Sequence, residues 1–223
     1  MTNRQFRHDD RFDELLHGAV HHVVDALSGT CAATSVKERL LQNLVAARLS
    51  DIAGEAVSRE ATSGLAGWPN AGDFDLRVGD DAVIELKWWG SATSKRYETL
   101  WDACKVANAV EEGVAERGYL ISGGRSTIWA RDDEFIRLFD SREHETIPLC
   151  IPAANWWKSP VNDTTTVTRL LSTTSIASVA FAMQSQTYEL RCARVRPCGA
   201  RVRVPRYVSQ RVRKPKSGLS GSS

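Results

Sequence analysis

The stretch from Asp73 to Trp89, which reads DFDLRVGDDAVIELKWW, predicts two β-strands joined by a tight turn. Apolar and polar residues alternate on both sides of residues 79–81, and this alternation is typical of strands that turn one face to a core. The short turn predicts an antiparallel hairpin of strands 73–78 and 82–89. Its apolar face is predicted to carry Phe74, Leu76, Val78, Ala82, Ile84, Leu86 and Trp88.

The register of this hairpin decides how its polar face is arranged. A turn of three residues sets Asp75 directly opposite Glu85, and Asp73 opposite Lys87. Directly opposed side chains have Cβ atoms about 4.5 to 5.5 Å apart, where like charges destabilise a sheet. A divalent cation between the two acids would reverse that penalty, since Mg²⁺ prefers carboxylate oxygens and water as ligands. A turn of two residues would instead separate the acids onto opposite faces.

Lys87 follows Glu85 by two positions and therefore shares its face. Beside a metal-bound water, a lysine can orient the water, remove its proton, or stabilise negative charge on the reacting phosphate. Asp75, Glu85 and Lys87 thus form a minimal set for phosphodiester hydrolysis assisted by Mg²⁺, with Mn²⁺ as a substitute. The alternative is a solvent-facing strand with an ordinary Glu-x-Lys salt bridge, a triplet that is common in chains of this size.

Periodicity predicts further elements on both sides of the hairpin. Glu38 stands three residues after Ser35, the spacing of a capping box, so a helix is expected to start there. Residues 50–72 indicate turns with one strand. The other predictions are helices over 9–27, 35–49 and 98–117, a strand over 119–122 stopped by Gly123 and Gly124, a short strand over 126–130, and strand or helix over 161–190.

This order of elements resembles the PD-(D/E)XK phosphodiesterase superfamily over about residues 30–130. The resemblance implies an α/β protein of restriction-endonuclease-like fold, with an α-β-β-β-α-β core and a mixed central sheet flanked by helices. Residue by residue, Asp75 resembles the signature acid at the end of one strand, and Glu85 and Lys87 resemble the (D/E)-x-K of the next. The implied activity is that of a metal-dependent endonuclease that acts on DNA, with Asp75 and Glu85 holding the metal.

Two assignments within this resemblance stay open. Glu38 resembles the acid that many members carry on the first helix, where it would be catalytic, but it also fits as a helix cap. No proline precedes the signature acid in this chain, so Asp73 remains the second choice for the ligand that Asp75 is expected to supply. A homodimer is compatible with the resemblance, because two subunits often cut the two strands of DNA.

The net charge of +2 conceals an uneven distribution of charge. From Glu189 to the end there are ten bases and one acid, which leaves 19 bases and 26 acids, or −7, for residues 1–188. A basic block of this kind indicates an anionic partner, most simply nucleic acid, although a solvated arm is the alternative. The expected contacts to nucleic acid are Lys95, Arg96, Arg201, Arg203, Arg206, Arg211, Arg213 and Lys214.

The same composition argues against several classes of protein. No apolar run approaches the about 18 to 20 residues of a membrane span, and the polar N-terminus has no apolar core of a secretory signal. Five cysteines without metal-type spacing indicate reduced thiols in the cytoplasm. His17 and His21 lie one helical turn apart, but no acid or cysteine completes a metal site.

Three domain segments and three single residues complete these expectations. Residues 1–160 are predicted to form the nuclease-like domain, 161–205 to extend it, and 206–223 to be a disordered basic tail. Cys104 is expected in the core of the third helix, and Lys105 on its exposed side, with a position facing the cleft as the alternative. Trp89 shares the polar face of its strand and is the better candidate for stacking on a base, although packing in the core or cleft is the favoured alternative.

Overall fold

The computed structural model describes the greater part of the chain between residues 5 and 198. The described residues are 5–29, 36, 38–54, 56–63, 65, 73–89, 95–130, 134–140, 145–152 and 166–198, without the side chains of 5–10, 95–97, 134–135, 145–152 and 166–169. The helices are α1 (Gln5–Ser28), α2 (Glu38–Ile52), α3 (Lys95–Glu111), α4 (Ser126–Trp129) and α5 (Glu134–Asp140). The strands are β1 (Val57–Thr62), β2 (Asp73–Val78), β3 (Ala82–Trp89), β4 (Arg117–Arg125), β5 (Glu145–Pro152), β6 (Thr166–Met183) and β7 (Gln186–Pro197).

The protein is an α/β structure built on one mixed sheet with helices packed against it. Its seven strands lie in the order β1-β2-β3-β4-β7-β6-β5. β3 and β4 are parallel, which requires the crossover that α3 provides, and the other neighbours are antiparallel. Read from α2 to β4, the chain forms a helix, three strands, a helix and a strand. Among the described residues, none of the helices has the length and apolarity to span a membrane.

The predicted hairpin is confirmed in its bounds and in its register. Val78 pairs with Ala82, and Leu76 pairs with Ile84, as the three-residue turn requires. The pairing of β2 with β3 ends at Leu76, whereas β2 remains paired with β1 as far as Asp73. Asp75 and Glu85 therefore do not form the expected backbone pair. The two strands diverge at this point, and the gap between them holds side chains.

Two hydrophobic cores lie on opposite faces of the sheet. The first joins α1 and α2 to side chains such as Leu76 and Leu86, and the second joins α3 and α5 to side chains such as Val83. The prediction that Phe74 shares the face of Leu76 is wrong, because Phe74 belongs to the second core. It lies beyond the divergence of β2 from β3, next to an irregular point at which Glu60 of β1 has a φ of 50°.

The third helix is shorter and the fourth strand longer than predicted. α3 ends at Glu111 and is followed by Gly113 with a φ of 71°, a backbone conformation that suits glycine, so the predicted end at residue 117 is wrong. Gly123 and Gly124 do not stop β4, which runs through both. They pair with Trp88 and Trp89 of β3, and a Cβ atom at Gly123 would overlap the Trp88 ring. The glycines therefore make room for indole rings inside the sheet.

The C-terminal part of the described chain extends the same sheet. Residues 161–190, left open between strand and helix, contain β6 and the start of β7, and β7 pairs directly with β4. Residues 126–129 form a helical turn rather than the predicted strand. Cys104 is buried in α3 as expected, and it is unbridged together with Cys192 and Cys198. The expected disordered tail, residues 206–223, lies outside the described residues.

Candidate active site

Charged side chains from four elements meet where β2 separates from β3. Glu38 at the start of α2, Asp75 of β2, and Glu85 and Lys87 of β3 were predicted from the sequence, and the structure brings them together. Two further charged residues of this cluster, Asp102 and Lys105, come from α3. We call these six residues the charged cluster: Glu38, Asp75, Glu85, Lys87, Asp102 and Lys105.

Asp75 is anchored to the neighbouring strand by its side chain. Its Oδ2 accepts a hydrogen bond of 2.7 Å from the main-chain N–H of Leu86, just beyond the last backbone pair of the two strands. Burial raises the pKa of the Asp75 carboxyl, and the nearby carboxylates of Asp102 and Glu38 raise it further, although the Leu86 hydrogen bond and Lys87 oppose the shift. The backbone carbonyl of Asp75 accepts a 2.8 Å hydrogen bond from the buried amide of Gln42, which fastens this part of β2 to α2.

Glu85 is the most deeply buried acid of the charged cluster, with 3% of its surface exposed. Its Oε1 lies 2.5 Å from the Nζ of Lys105, which makes the two residues a close buried ion pair. Burial and the carboxylate of Asp102 raise the pKa of Glu85 well above its ordinary value, against the opposing effect of Lys105. Ionised Glu85 therefore needs a cation beside it.

Lys87 lies between two carboxylates that come from opposite sides. Its Nζ is 3.0 Å from Oδ2 of Asp102 on α3 and 3.6 Å from Oε1 of Glu38 on α2. Burial alone would lower the pKa of Lys87, but the surrounding carboxylates of Asp102, Glu38, Glu85 and Asp75 outweigh it and raise the pKa. The ammonium is thus the stable form, and Lys87 can donate hydrogen bonds and stabilise negative charge more readily than it can accept a proton.

Two members of the charged cluster were not predicted correctly from the sequence: Asp102 was not identified, and Lys105 was expected on an exposed helix face. Lys105 was predicted to be an exposed helix lysine, but it is 5% exposed, so that prediction is wrong. α3 packs into the second core through its own Leu100, Cys104 and Ala107, and Asp102 and Lys105 are buried with it. Asp102 and Lys105 are three residues apart and share one helix face, a spacing that could have revealed them.

The structure also separates the two aspartates of β2. The side chain of Asp73 is exposed, whereas its backbone carbonyl accepts a 3.0 Å hydrogen bond from Lys105 Nζ. Asp75 instead directs its carboxylate toward the charged cluster. Of the two candidates for the signature acid, it is therefore Asp75 whose carboxylate lies in the charged cluster.

Four carboxylates and two ammonium groups make the charged cluster formally anionic. The buried carboxylates of Glu85 and Asp102 each have one lysine ammonium beside them, Lys105 at 2.5 Å and Lys87 at 3.0 Å. Within the described residues, however, no three acids, histidines or cysteines already stand in the arrangement of a metal site. The residue types fit a hard divalent cation, and Lys105 fills the place next to Glu85.

Trp89 is not available for stacking on a nucleic acid base. It is 4% exposed, it packs in the second core, and its Nε1 lies 3.3 Å from the hydroxyl of Ser122. The favoured alternative of packing in the core is the one observed, because α3 covers this face of the sheet. His17 and His21 have rings 4.6 Å apart on the exposed side of α1, and neither belongs to a metal-type group among the residues described.

The basic C-terminal block divides into two parts. Arg191 and Arg194 lie within β7 and are paired, Arg191 with Glu189 and Asp140, and Arg194 with Asp13 at 2.8 Å. Because these two arginines form ion pairs within the fold, fewer positive charges of the C-terminal block remain for an anionic partner than the number of its basic residues suggests. The side chains of Lys95 and Arg96, and all of Arg201, Arg203, Arg206, Arg211, Arg213 and Lys214, lie outside what the structure describes.

Comparison of the chain with protein-family models, with curated proteins and with solved structures gave no match. A functional assignment therefore has to come from the chemistry of the charged cluster and from the elements that position it.

Proposed function

We propose that the protein is a divalent-metal-dependent nuclease of restriction-endonuclease-like fold that hydrolyses phosphodiester bonds in DNA. The observation that carries the proposal is the convergence of Asp75, Glu85 and Lys87 at the divergence of two strands, with Glu38 added from α2. A fold selected for stability alone would not collect so many carboxylates in a half-buried position, since like charges there destabilise it.

The arrangement of elements supports the same proposal. From α2 to β4 the chain has the α-β-β-β-α-β order of the PD-(D/E)XK core, and these strands belong to a mixed sheet flanked by helices. Asp75 lies on one strand, and the Glu85-Leu86-Lys87 motif lies on the next. Glu38 begins the helix that precedes them, which is the position of the additional acid in that superfamily.

Each residue of the charged cluster then has a distinct role. Asp75 and Glu85 hold Mg²⁺, or Mn²⁺ in its place, and Glu38 contributes to the same site. The bound cation supplies Lewis-acid activation of water and neutralises charge on the phosphate. Lys87, which its neighbours keep protonated, orients the attacking water and stabilises the negative charge that develops on the phosphate.

DNA is the proposed partner, and the basic residues beyond the sheet are its proposed contacts. Residues 199–223 contain seven bases and no acid, in a protein whose remaining charge is negative. Contacts to phosphate are independent of base sequence and respond steeply to salt. The proposal includes a cytoplasmic protein that acts as a homodimer when both strands of a duplex are cut.

A second candidate is a nucleic-acid-binding module of the same fold that does not cleave. One observation favours it: the acid of the motif is already paired with Lys105, and Lys87 is already paired with Asp102. A cluster neutralised in this way can exist without a metal. The two candidates share the prediction of DNA binding and differ in the prediction of cleavage.

A nuclease assay with matched variants separates these candidates. Supercoiled plasmid is incubated with the protein in Mg²⁺, in Mn²⁺ and in EDTA, and nicked and linear products are quantified. We expect cleavage that requires metal and that is lost in D75N, E85Q and K87M, whereas D51N, which removes an exposed acid of α2, cleaves like the wild type. Cleavage by K87M at the wild-type rate would contradict the proposal, and salt-dependent binding without cleavage would support the second candidate.

The proposed contacts of the basic C-terminal residues with phosphate are tested by measuring DNA affinity as a function of salt concentration. Each phosphate neutralised on duplex DNA contributes about −0.9 to the slope of log K against log salt. Substitution of Arg211 and Arg213 by glutamine should reduce the magnitude of that slope by about 2. An unchanged slope would show that these arginines do not contact phosphate.

A further inference from the structure

The ammonium of Lys105 is enclosed at the point where the proposed metal would bind. Its Nζ lies 2.5 Å from Oε1 of Glu85 and 3.0 Å from the backbone oxygen of Asp73, and the centre of the Phe74 ring is 5.2 Å away. The residue is 5% exposed, so water contributes little to the solvation of this charge. Lys105 is held almost entirely by protein oxygens and by one aromatic face.

The two oxygens that contact Lys105 are of types that also serve as ligands of hard divalent cations. A carboxylate and a main-chain carbonyl are both ordinary ligands of Mg²⁺ and Mn²⁺. The contact to Glu85 is a close ion pair in which the attraction of opposite charges has a larger effect than the hydrogen bond. A cation of higher charge can replace an ammonium in such a contact.

A displaced ammonium also has an acceptor within reach. Asp102 is three residues before Lys105 on α3, and side chains with this spacing are neighbours on a helix surface. The Oδ2 of Asp102 is buried and has no aligned donor, although Lys87 lies 3.0 Å away. Lysine has a flexible stem of four carbons, so its Nζ can move from Glu85 toward Asp102 without a shift of the helix.

We propose that Lys105 is a tethered counterion of Glu85, which a divalent cation must displace, so that Lys105 sets the metal affinity of the site. The inference rests on the proposed function, because it takes Glu85 as a metal ligand. In the metal-free protein Lys105 neutralises Glu85 and preserves the fold. On metal binding it moves to Asp102, and Glu85 becomes available. The site therefore binds metal more weakly than its carboxylates alone would allow.

Metal binding to the full-length protein tests this role without any measurement of cleavage. Mn²⁺ is titrated into the wild type, K105M, K105Q and K105R, and free Mn²⁺ is followed by its paramagnetic resonance signal. K105M and K105Q should bind Mn²⁺ at least about tenfold more tightly than the wild type, which is about 1.4 kcal/mol. K105R keeps the positive charge and should remain close to the wild type. K105Q retains a hydrogen-bond donor next to Glu85, so it serves if K105M does not fold.

The outcomes distinguish this inference from the proposed function. Wild-type binding that E85Q abolishes, together with unchanged affinity in K105M and K105Q, would overturn the role of Lys105 and leave the nuclease proposal intact. Absence of Mn²⁺ binding in the wild type and in both neutral variants would overturn both. Tighter binding in the neutral variants without cleavage of DNA would support the counterion and contradict the nuclease.

Discussion

Replacement of Lys87 by methionine should lower stability through the loss of its ion pair with Asp102, and should lower cleavage through the loss of its charge at the proposed reaction site. The methionine keeps the length of the side chain and removes its charge, so Asp102, with 9% of its side chain exposed, loses the ammonium 3.0 Å away. At an effective dielectric constant of about 20, opposite charges about 4 Å apart attract by about 4 kcal/mol, and loss of one partner from a buried pair costs about 3 to 5 kcal/mol. Glu38 is 3.6 Å away and a third exposed, and it adds little. We expect K87M to lose about 3 kcal/mol of unfolding free energy.

A second substitution separates this structural cost from the chemistry. In K87M/D102N the carboxylate that needed the ammonium is replaced by an isosteric amide, so most of the lost stability should return. If Lys87 has its proposed role, cleavage should not return, because the group that would orient the water is still absent. A side chain that assists proton transfer or stabilises charge typically contributes about 10²- to 10⁴-fold to the rate. D102N alone is the control for the effect of the amide.

The measurements are urea unfolding by tryptophan fluorescence in EDTA and single-turnover plasmid cleavage in Mg²⁺. If K87M/D102N cleaves within about tenfold of the wild-type rate, Lys87 has no part in the reaction. If K87M unfolds within about 0.5 kcal/mol of the wild type, the ion pair with Asp102 is not the buried contact that its distance indicates. The first result would refute the catalytic role of Lys87, and the second would refute its contribution to stability.

Three further predictions concern single residues. The pKa of Asp75 is raised in the folded protein, so its ionisation lowers stability as the pH rises from the ordinary pKa through the raised one. D75N should therefore melt at a higher temperature than the wild type at pH 7, measured by calorimetry of the metal-free proteins. The difference between their melting temperatures should become smaller at low pH, where Asp75 is protonated. G123A places a Cβ atom into the Trp88 ring and should lower the free energy of unfolding by about 1 to 3 kcal/mol in urea. Burial raises the pKa of the Cys192 thiol, so iodoacetamide should modify the half-buried Cys198 and leave Cys192 unmodified in peptide mapping of the native protein.

The hairpin could be predicted from sequence because its signals are local. Alternating residues and a three-residue turn specify the register without help from the rest of the chain, and the structure has that register. What the pattern could not reveal is the point where β2 leaves β3, since this depends on β1 and on the hydrogen bond from Gln42 to the backbone of Asp75. The divergence converts a predicted cross-strand pair into a space shared by Asp75, Glu85 and Lys87.

Residues whose environment is set by distant elements were predicted less well. Gly123 resembles a strand terminator until the neighbouring strand is known to present Trp88 at the same level. Lys105 resembles a solvated lysine, because its three-residue spacing from Asp102 fits an exposed helix face as well as a covered one. β7 alternates with a period of two only as far as Cys192, beyond which both of its faces are buried, because Ala193 and Val195 belong to the second core. In each case tertiary packing, which short windows do not contain, overrides the local pattern.

The raised pKa values of Asp75 and Glu85 connect the stability of the protein to its proposed activity. A carboxyl whose pKa is higher in the folded than in the unfolded state destabilises the fold increasingly as the pH rises above its ordinary value. At neutral pH the metal-free protein bears this cost, which Lys105 reduces only for Glu85. A ligand that binds the folded state alone stabilises it in proportion to its affinity, so a divalent cation would recover the free energy that the acids remove. Because D75N and E85Q remove both the cost and the ligands, each should unfold at the same temperature with and without Mn²⁺, whereas the wild type should gain stability from the metal. A wild type whose melting temperature does not change with Mn²⁺ would mean that the acids are balanced by lysine alone.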